Sequence, residues 1–165
     1  MGISSLNLFS LNNINDKQHK LGESLATAAS SPALDYHSIC KMSEQGLYII
    51  FDKSQILYIG KTTRTGKIRM QELAADFRSH TFNRKLLGER FRELGFVFTV
   101  LHNKTKKEWI DKDIITESAF REQQQVINTF IRESLHFKFL SVTDSNWLTL
   151  LEHFAIAVLN PKHND

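Results

Sequence analysis

The sequence predicts an α+β domain with a small three-stranded antiparallel sheet, one additional candidate strand, and flanking helices. Three observations predict this class. Residues 46–59 contain two short alternating runs separated by a polar segment, and 68–73, 82–94 and 117–134 carry apolar residues at helical intervals. A third run of strand formers at 137–142 precedes an apolar helical stretch. Mixed strands and helices in this order are typical of an antiparallel sheet covered by helices.

Residues 1–42 differ in composition from the rest of the chain. They are rich in Ser, Asn and Ala, show only fragmentary helical spacing around 20–29, and are interrupted by Pro32. We expect an N-terminal extension here, either a loosely packed arm or a small helical cap. Residues 43–165 should form one domain, because a chain of 165 residues with 41% hydrophobic content can bury a sizeable core.

Residues 46–59 predict a β-hairpin whose turn decides where two tyrosines point. Side chains alternate along the first strand, with Tyr48 on one face and Leu47 and Ile49 on the other. A two-residue turn would send Tyr58 to the opposite face from Tyr48, whereas a three-residue turn would set the two directly across from each other. We predict an odd-numbered turn or a bulge, with both tyrosines on one face.

The segment after the hairpin predicts mainly helices. The helix at 82–94 has Gly95 as its expected stop, and 117–134 has the pattern of an amphipathic helix packed on the sheet. Residues 96–101 are the candidate extra strand, and 103–113 predict a charged loop.

The last helical stretch, 147–159, is apolar almost all round, which predicts a largely buried helix. Asp144 or Ser145 can cap its start, and Pro161 prevents its continuation. Its only acid is Glu152. This carboxylate either lies on a narrow wet stripe of the helix or has a partner cation, because an unpaired buried charge is costly.

The positive charge is concentrated in one stretch. Residues 61–92 contain nine basic and three acidic residues, whereas 1–60 contain four and five, and 93–165 contain eight and ten. A run of charge is ordinarily a solvated helix face. Because this run begins directly after Tyr58, we instead expect a polyanionic partner near that tyrosine.

Several classes of protein are not supported by the composition. The single cysteine, Cys40, cannot form an intrachain disulfide and matches no metal-ligand spacing, which fits a reducing cytosol and a cytoplasmic location. No apolar run approaches membrane-spanning length and no secretion signal is evident, so we expect no membrane association. Ser-His-Asp or zinc chemistry has no supporting pattern.

Two tyrosine motifs and three polar residues form the most specific pattern in the chain. Gly46-Leu47-Tyr48 is followed, ten residues after that tyrosine, by Tyr58-Ile59-Gly60-Lys61. A basic helical stretch contains Arg69, and a lone glutamate is followed twelve residues later by an asparagine, as Glu152 and Asn164. Together these residues resemble the GIY-YIG endonuclease family, which cuts phosphodiester bonds in DNA. The resemblance spans roughly residues 45–165 and covers all five positions that family members use.

The resemblance implies a GIY-YIG-like fold over 43–165, with an insertion at about 95–135 relative to the smallest members. The insertion could carry substrate specificity or simply thicken the core.

The resemblance also implies a metal-dependent DNA endonuclease. Glu152 would hold one divalent metal ion, Mg²⁺ or Mn²⁺, since a single carboxylate with retained waters is typical of magnesium sites. Tyr48 would help to activate the attacking water, and Tyr58 would support it or exchange protons. The cationic groups of Lys61, Arg69 and the metal are expected to lower the pKa of both phenols.

Arg69 would contact the scissile phosphate through two hydrogen bonds. Residues 63–66 lengthen the preceding loop, which leaves the register open and makes Arg64, Arg78 and Arg84 fallback candidates.

The remaining site residues have less specific roles. Asn164 would orient Tyr48 or the glutamate, and Lys61 would contact phosphate or assist proton transfer. His80 and His163 are the histidines placed to act as acid or base. The basic residues expected to bind nucleic acid are Lys61, Arg64, Lys67, Arg69, Arg78, Arg84 and Lys85.

Two other functions stay open at this stage. A non-catalytic nucleic-acid-binding module would keep the fold and the basic surface, although intact residues at all five positions favour an enzyme. An RNA-directed nuclease is the other alternative, because the same phosphate site would serve. DNA is the expected partner.

Overall fold

The structure is a computed structural model and describes residues 6–53 and 55–164. Its elements, in chain order, are α1 (Leu6–Ser30), α2 (Tyr36–Ile39), β1 (Gly46–Asp52), β2 (Gln55–Thr62), α3 (Gly66–Leu73), α4 (Thr81–Glu93), α5 (Asn103–Asp111), α6 (Glu117–Glu133), β3 (His136–Ser141) and α7 (Ser145–Leu159). Within these described residues, no helix has the length and apolar character needed to cross a membrane.

The strands form one antiparallel sheet in the order β2-β1-β3. This confirms the predicted fold class of three antiparallel strands flanked by helices. The central strand β1 is buried on both faces, while β2 and β3 are the edges. The position of β2 at an edge matters for the site, because one side of its backbone is not paired with another strand.

The predicted extra strand at 96–101 is wrong, and so is the charged loop at 103–113. Residues 96–101 are irregular, and Phe96 and Phe98 pack against Trp109 with ring centroids 4.7 and 5.1 Å apart. Most of the supposed loop is α5, which buries Trp109 and is capped by the His102 ring accepting from the Thr105 amide. The aromatic side chains of this segment therefore serve helix packing rather than strand pairing.

Two hydrophobic cores lie on opposite sides of the sheet. Tyr48, Ile50 and Phe137 face one core, which is closed by α2 to α6. Leu47, Ile49 and Ile59 face the other, which is closed by α1 and α7. The sheet thus separates a helix-rich side from the side covered by the first and last helices.

The predicted extension contributes to the second core. In α1, Leu21, Leu25 and Ala28 are buried in it. The Lys138 ammonium of β3 also donates to the carbonyls of Ala29 and Ser31.

The prediction that α7 is largely buried is wrong, because only one face of the helix is buried. Leu148, Leu151 and Ala155 are buried, but Leu150 and Val158 are 44% and 56% exposed. The reason is that α7 packs with one face on the sheet and α1, leaving the other face to solvent. Its start is capped by Asp144, which accepts from two backbone amides.

A β-bulge sets the register of the hairpin. Asp52 pairs with Gln55, so the connection is two residues long, and Lys53 has a positive φ of 51°. The register then shifts between Ile50 and Phe51, so that Ile50 pairs with Tyr58. The predicted alternative of a bulge is confirmed, and that of a three-residue turn is wrong.

The two motif glycines make room for this arrangement. Gly60 pairs with Tyr48, and a Cβ at Gly60 would lie only 2.3 Å from the Tyr48 hydroxyl oxygen. A Cβ at Gly46 would lie 2.2 Å from the Leu140 carbonyl oxygen of β3. Real Cβ contacts do not come this close, so the motif requires glycine at both positions.

We predict that Gly60→Ala destabilises the fold by about 2 kcal/mol, because the new methyl group must displace a fully buried phenol. Urea unfolding monitored by circular dichroism measures this. The control is Gly22→Ala in α1, where nothing lies within 4 Å of the added Cβ. That change should be neutral or stabilising by up to about 1 kcal/mol, because alanine is the better helix former. Equal stability of the two variants would contradict the close contact.

Candidate active site at the free edge of the second strand

The tyrosine pair lies on the helix-rich side of the sheet. Because of the bulge, Tyr58 is diagonal to Tyr48 on the same face, and their rings stack with centroids 6.3 Å apart. The predicted common face of the tyrosines is therefore confirmed. Tyr48 is fully buried, whereas Tyr58 is half-buried and closer to solvent.

The Tyr48 hydroxyl has two nitrogen neighbours. His80 Nε2 is 2.9 Å away, and Arg69 Nε donates to the hydroxyl oxygen at 3.3 Å. The other ring nitrogen of His80, Nδ1, accepts from the Phe82 amide at 3.1 Å and caps α4. His80 is thus fixed by the helix that begins beside it.

The protonation of His80 follows from these contacts. Burial, and next the nearby Arg69 charge, lower the pKa of His80 to about 3, so the ring is neutral at physiological pH. A neutral imidazole has one N–H, and Nδ1 is acting as an acceptor. The proton therefore lies on Nε2, which donates to Tyr48. The Tyr48 oxygen accepts two N–H groups, and its own proton is left for a third partner.

Arg69 is brought to the tyrosines by α3. This helix is capped by Thr65, whose hydroxyl accepts from the Ile68 amide. Arg69 also pairs with Glu72, one turn further along, at 3.2 Å. Among the described residues, Arg69 is the arginine that hydrogen-bonds to Tyr48 or Tyr58. This supports Arg69 over the fallback candidates.

The fallback arginines make other contacts. Arg64 makes two hydrogen bonds of 2.7 Å to Glu72 and is 53% exposed, and Arg78 pairs with Asp76 and is 62% exposed. Arg84 is close enough for its charge to lower the pKa of Tyr58, although burial dominates there. Glu72 was missed by the sequence analysis. Its spacing of three residues from Arg69 on a helix was the available signal.

Arg69 has the expected effect on the phenol pKa values, but the net shift of both is upward. Burial raises the pKa of Tyr48 above its ordinary value, and burial also raises that of Tyr58. Arg69 acts on both groups in the expected direction, but the loss of water around the rings outweighs it. Both tyrosines are therefore neutral phenols in this state.

Glu152 reaches the site from the other side of the sheet. Its Oε1 accepts from the Lys61 backbone amide at 3.1 Å, and its Oε2 lies 3.2 Å from Lys61 Nζ. Lys61 Nζ also donates to Thr149 at 2.8 Å, one turn earlier on α7. Glu152 thus lies on a polar stripe and has a partner cation as well. Its charge also raises the pKa of both tyrosines, so it is within electrostatic reach of them.

The donor set around Glu152 limits which metal could bind. Among residues 6–53 and 55–164, no group of three or more His, Cys, Asp or Glu side chains could hold a metal ion. A lone carboxylate that is 17% exposed fits a hard, largely hydrated cation such as Mg²⁺. It does not fit zinc, which takes several nitrogen or sulfur ligands.

The C-terminal segment covers the free edge of β2. The Asn164 side chain accepts from the Ile59 amide at 2.7 Å and donates to the Ile59 carbonyl at 2.6 Å. The backbone amides of His163 and Lys162 donate to the carbonyls of Leu57 and Ile56. Asn164 was predicted to orient Tyr48 or Glu152, but both of its described hydrogen bonds go to the strand. It acts on the backbone between Tyr58 and Gly60 instead.

A shallow cavity of about 180 Å³ opens at this edge and is lined by Lys61, Thr62, Thr63, Arg64 and Arg69. Three of these five residues are cationic. Lys67 is exposed on α3 and lines a different cleft beside Cys40. Of the seven basic residues predicted to bind nucleic acid, three line this cavity and four do not. The three are Lys61, Arg64 and Arg69, and the four are Lys67, Arg78, Arg84 and Lys85.

Two solved structures are similar to this chain, and both are point mutants of the GIY-YIG N-terminal endonuclease domain of UvrC from Thermotoga maritima, bound to its catalytic divalent cation. They are 19% and 18% identical, cover 77% of this chain and 89% of theirs, and have a TM-score of 0.38. No family model and no curated protein matches the chain. These structures carry the name of the family that the tyrosine motifs resemble.

We predict that His80→Asn changes how stability depends on pH. The pKa of His80 in the fold, about 3, is below its ordinary value of 6.5. Between these values the unfolded chain binds a proton that the fold does not, so stability falls as pH falls, by up to ~1.4 kcal/mol per pH unit for this one group. His80→Asn should flatten the slope between about pH 6 and pH 4 by that amount, measured by urea unfolding.

The control for the pH slope is His19→Asn, because the His19 side chain is 75% exposed. Asparagine also keeps a good helix cap at position 80. An unchanged slope in His80→Asn would show that the imidazole is not held neutral in the fold.

We predict that Asn164→Ala exposes the edge of β2 to solvent. The Ile59 amide should lose protection from hydrogen exchange by roughly fivefold to tenfold, because one hydrogen bond contributes about 1 kcal/mol. The Lys61 amide, held by Glu152, is the internal reference and should change less. Asn146→Ala, at an exposed position of α7, is the matched variant. Full protection of Ile59 in Asn164→Ala would contradict the covering role.

Proposed function

We propose that this protein is a GIY-YIG-type endonuclease that hydrolyses phosphodiester bonds in DNA with one divalent cation, Mg²⁺ or Mn²⁺. One observation carries the proposal. Two groups of side chains meet at the free edge of β2. On the helix-rich side of the sheet these are Tyr48, Tyr58 and Arg69, and on the opposite side they are the Lys61–Glu152 pair.

Phosphodiester hydrolysis needs an activated nucleophile and compensation of the charge that develops on the phosphoryl oxygens. The cationic cavity supplies the second requirement. Arg69 would exchange its contact with Glu72 for a phosphate oxygen, while Arg64 holds Glu72. Lys61 would exchange its contact with Glu152 Oε2 for a second phosphate oxygen.

Tyr48 is the proposed proton acceptor for the attacking water. Its phenol is neutral in the described state, so it must first lose its own proton. The N–H groups of His80 and Arg69 both point at the Tyr48 oxygen and would stabilise the phenolate. Tyr58, stacked on Tyr48 and nearer to solvent, is the proposed route for the departing proton.

Glu152 would hold the cation, which supplies a Lewis acid for the phosphoryl group when bound. The Oε1 atom, fixed by the Lys61 amide, keeps the carboxylate at the edge of β2.

The non-catalytic binding module is favoured by one observation. In this structure both Glu152 oxygens contact Lys61, and the pKa values of both phenols are raised. A protein that only binds nucleic acid would keep these contacts between Glu152 and Lys61. Cleavage assays decide between the two functions, and competition between DNA and RNA substrates tests the RNA-directed alternative.

We predict that Glu152→Ala lowers the rate of Mg²⁺-dependent nicking of supercoiled plasmid by at least about 100-fold, because the carboxylate acts on charge that develops in the transition state. DNA affinity should stay within a few-fold. Glu152→Gln keeps an acceptor for the Lys61 amide and separates loss of charge from loss of structure. Glu122→Ala, at an exposed position of α6, is the control. Undiminished nicking by Glu152→Ala would contradict the assignment, and no cleavage of DNA or RNA by the parent would favour the binding module.

A further inference from the structure

A second cationic cleft lies beside α4. Its volume is about 380 Å³, and its walls are α4, the irregular segment 96–101 and the C-terminal segment. Four basic residues line it, namely Arg84, Lys85, Arg92 and Lys162. Among the cleft residues Glu89 is the acid, and it pairs with Lys162 at 3.1 Å. The cleft therefore has an excess of positive charge inside a concave surface, where the field is focused.

The cleft adjoins the candidate active site. The Tyr58 ring contacts Phe82 at 5.3 Å between centroids, and Phe82 contacts His163, which lines the cleft, at 5.5 Å. The charge of Arg84, also in the cleft, acts on Tyr58. A ligand at Tyr58 and a ligand in the cleft would thus be separated by about one aromatic side chain.

The guanidinium of Arg92 is held in place. It lies 4.8 Å from the Phe98 ring centroid, and its Nη2 donates to the Thr99 carbonyl at 3.2 Å. A planar guanidinium held in this way is suited to phosphate oxygens, because less side-chain freedom is lost on binding. Arg84 lies two turns earlier on the same face of α4, so both point toward one groove.

The segment 96–101 adds apolar surface at the rim. Phe98 and Val100 line the cleft, and Val100 is 53% exposed. Apolar side chains next to a cationic groove are suited to a ligand with a charged backbone and apolar rings. A nucleic-acid strand has this composition, whereas a small inorganic anion would make no use of these apolar side chains.

We propose that this cleft binds a phosphate of the nucleic-acid strand that flanks the cleaved bond, with Arg84 and Arg92 as its ligands. The inference rests on the proposed function for the strand's presence at Tyr58. It gives the segment 96–101 a role in substrate binding, and it extends the nucleic-acid contact to Arg92 and Lys162. The strand passes from the Lys61–Arg69 cavity across Tyr58 and into this cleft.

The test is a scan of the substrate backbone with neutral methylphosphonate linkages. A labelled oligonucleotide duplex carries one replacement at a time, and binding is measured by fluorescence anisotropy without divalent metal. One flanking position should weaken binding to the parent by about fivefold or more. In Arg84→Gln/Arg92→Gln, the same replacement should have no effect, and the slope of log affinity against log salt should fall by about 0.9, for the one lost phosphate contact.

The matched control is Lys104→Gln/Lys107→Gln, two exposed basic residues of α5 with the same change of charge. It should keep the parent's methylphosphonate profile. Arg92→Lys keeps the charge without the guanidinium. Its affinity should fall at the same methylphosphonate position as the parent's, but by a smaller factor. Inorganic phosphate is the probe for a small-anion site, monitored through the arginine Nε–H resonances.

Three outcomes overturn the proposal. One is a methylphosphonate profile in Arg84→Gln/Arg92→Gln that equals the parent's. Another is equal loss in the control pair. The third is submillimolar inorganic phosphate binding at Arg84 and Arg92 together with an unchanged profile. Failure of the nuclease function is seen separately. In that case the parent protein does not nick plasmid, but its binding is still weakened by the methylphosphonate at the flanking position.

Discussion

The β-bulge in the hairpin is the constraint on which the rest of the site depends. Side chains alternate along a strand, so a two-residue turn without a bulge would send Tyr58 into the core closed by α1 and α7. The shift between Ile50 and Phe51 returns Tyr58 to the face of Tyr48. That face also meets α3 and the start of α4, which bring Arg69 and His80. Gly60 then leaves space for the Tyr48 hydroxyl between the strand and these two donors.

The free edge of β2 solves a geometric problem. Glu152 lies on α7, across the sheet from the tyrosines, and a continuous sheet would keep the two groups apart. At an edge strand, side chains from both faces of the sheet can come together. The Lys61 amide has no strand partner there, and its hydrogen bond to Glu152 gives the carboxylate a fixed position. The same edge is a liability for aggregation, and the segment from Lys162 to Asn164 covers it. One strand edge thus both joins the two sides of the site and anchors residues 162–164.

Much of this arrangement could be predicted from local sequence. The hairpin, α4, α6 and β3 follow from alternation and helical spacing. The common face of the tyrosines was predicted from the chemistry that the motif requires, because a two-residue turn by itself would place them on opposite faces. Features set by tertiary contacts could not be predicted in the same way. The segment 96–101 alternates like a strand, but its phenylalanines pack on Trp109, which is itself buried only once α5 has formed.

The features of the site also divide into those that local sequence predicts and those that tertiary contacts determine. Residue types and spacing identified Tyr48, Arg69 and Glu152, which the structure brings to one edge. The direction of the phenol pKa shift depends on burial, which spacing does not reveal. The role of His80 as a fixed donor depends on Nδ1 capping α4, and a histidine before a helix is a weak signal for this. The Asn164 contact with Ile59 joins positions 105 residues apart, which no local pattern describes.

The order of these parts along the chain has a consequence during protein synthesis. The contacts that complete the edge of β2 join residues 91 and 105 positions apart. A ribosome adds roughly 5–20 residues per second, so the edge stays uncovered for about 5 to 20 seconds after β2 is made. Until α7 and residues 162–164 have emerged, a nascent chain has neither the Glu152 carboxylate nor the segment that covers the edge of β2.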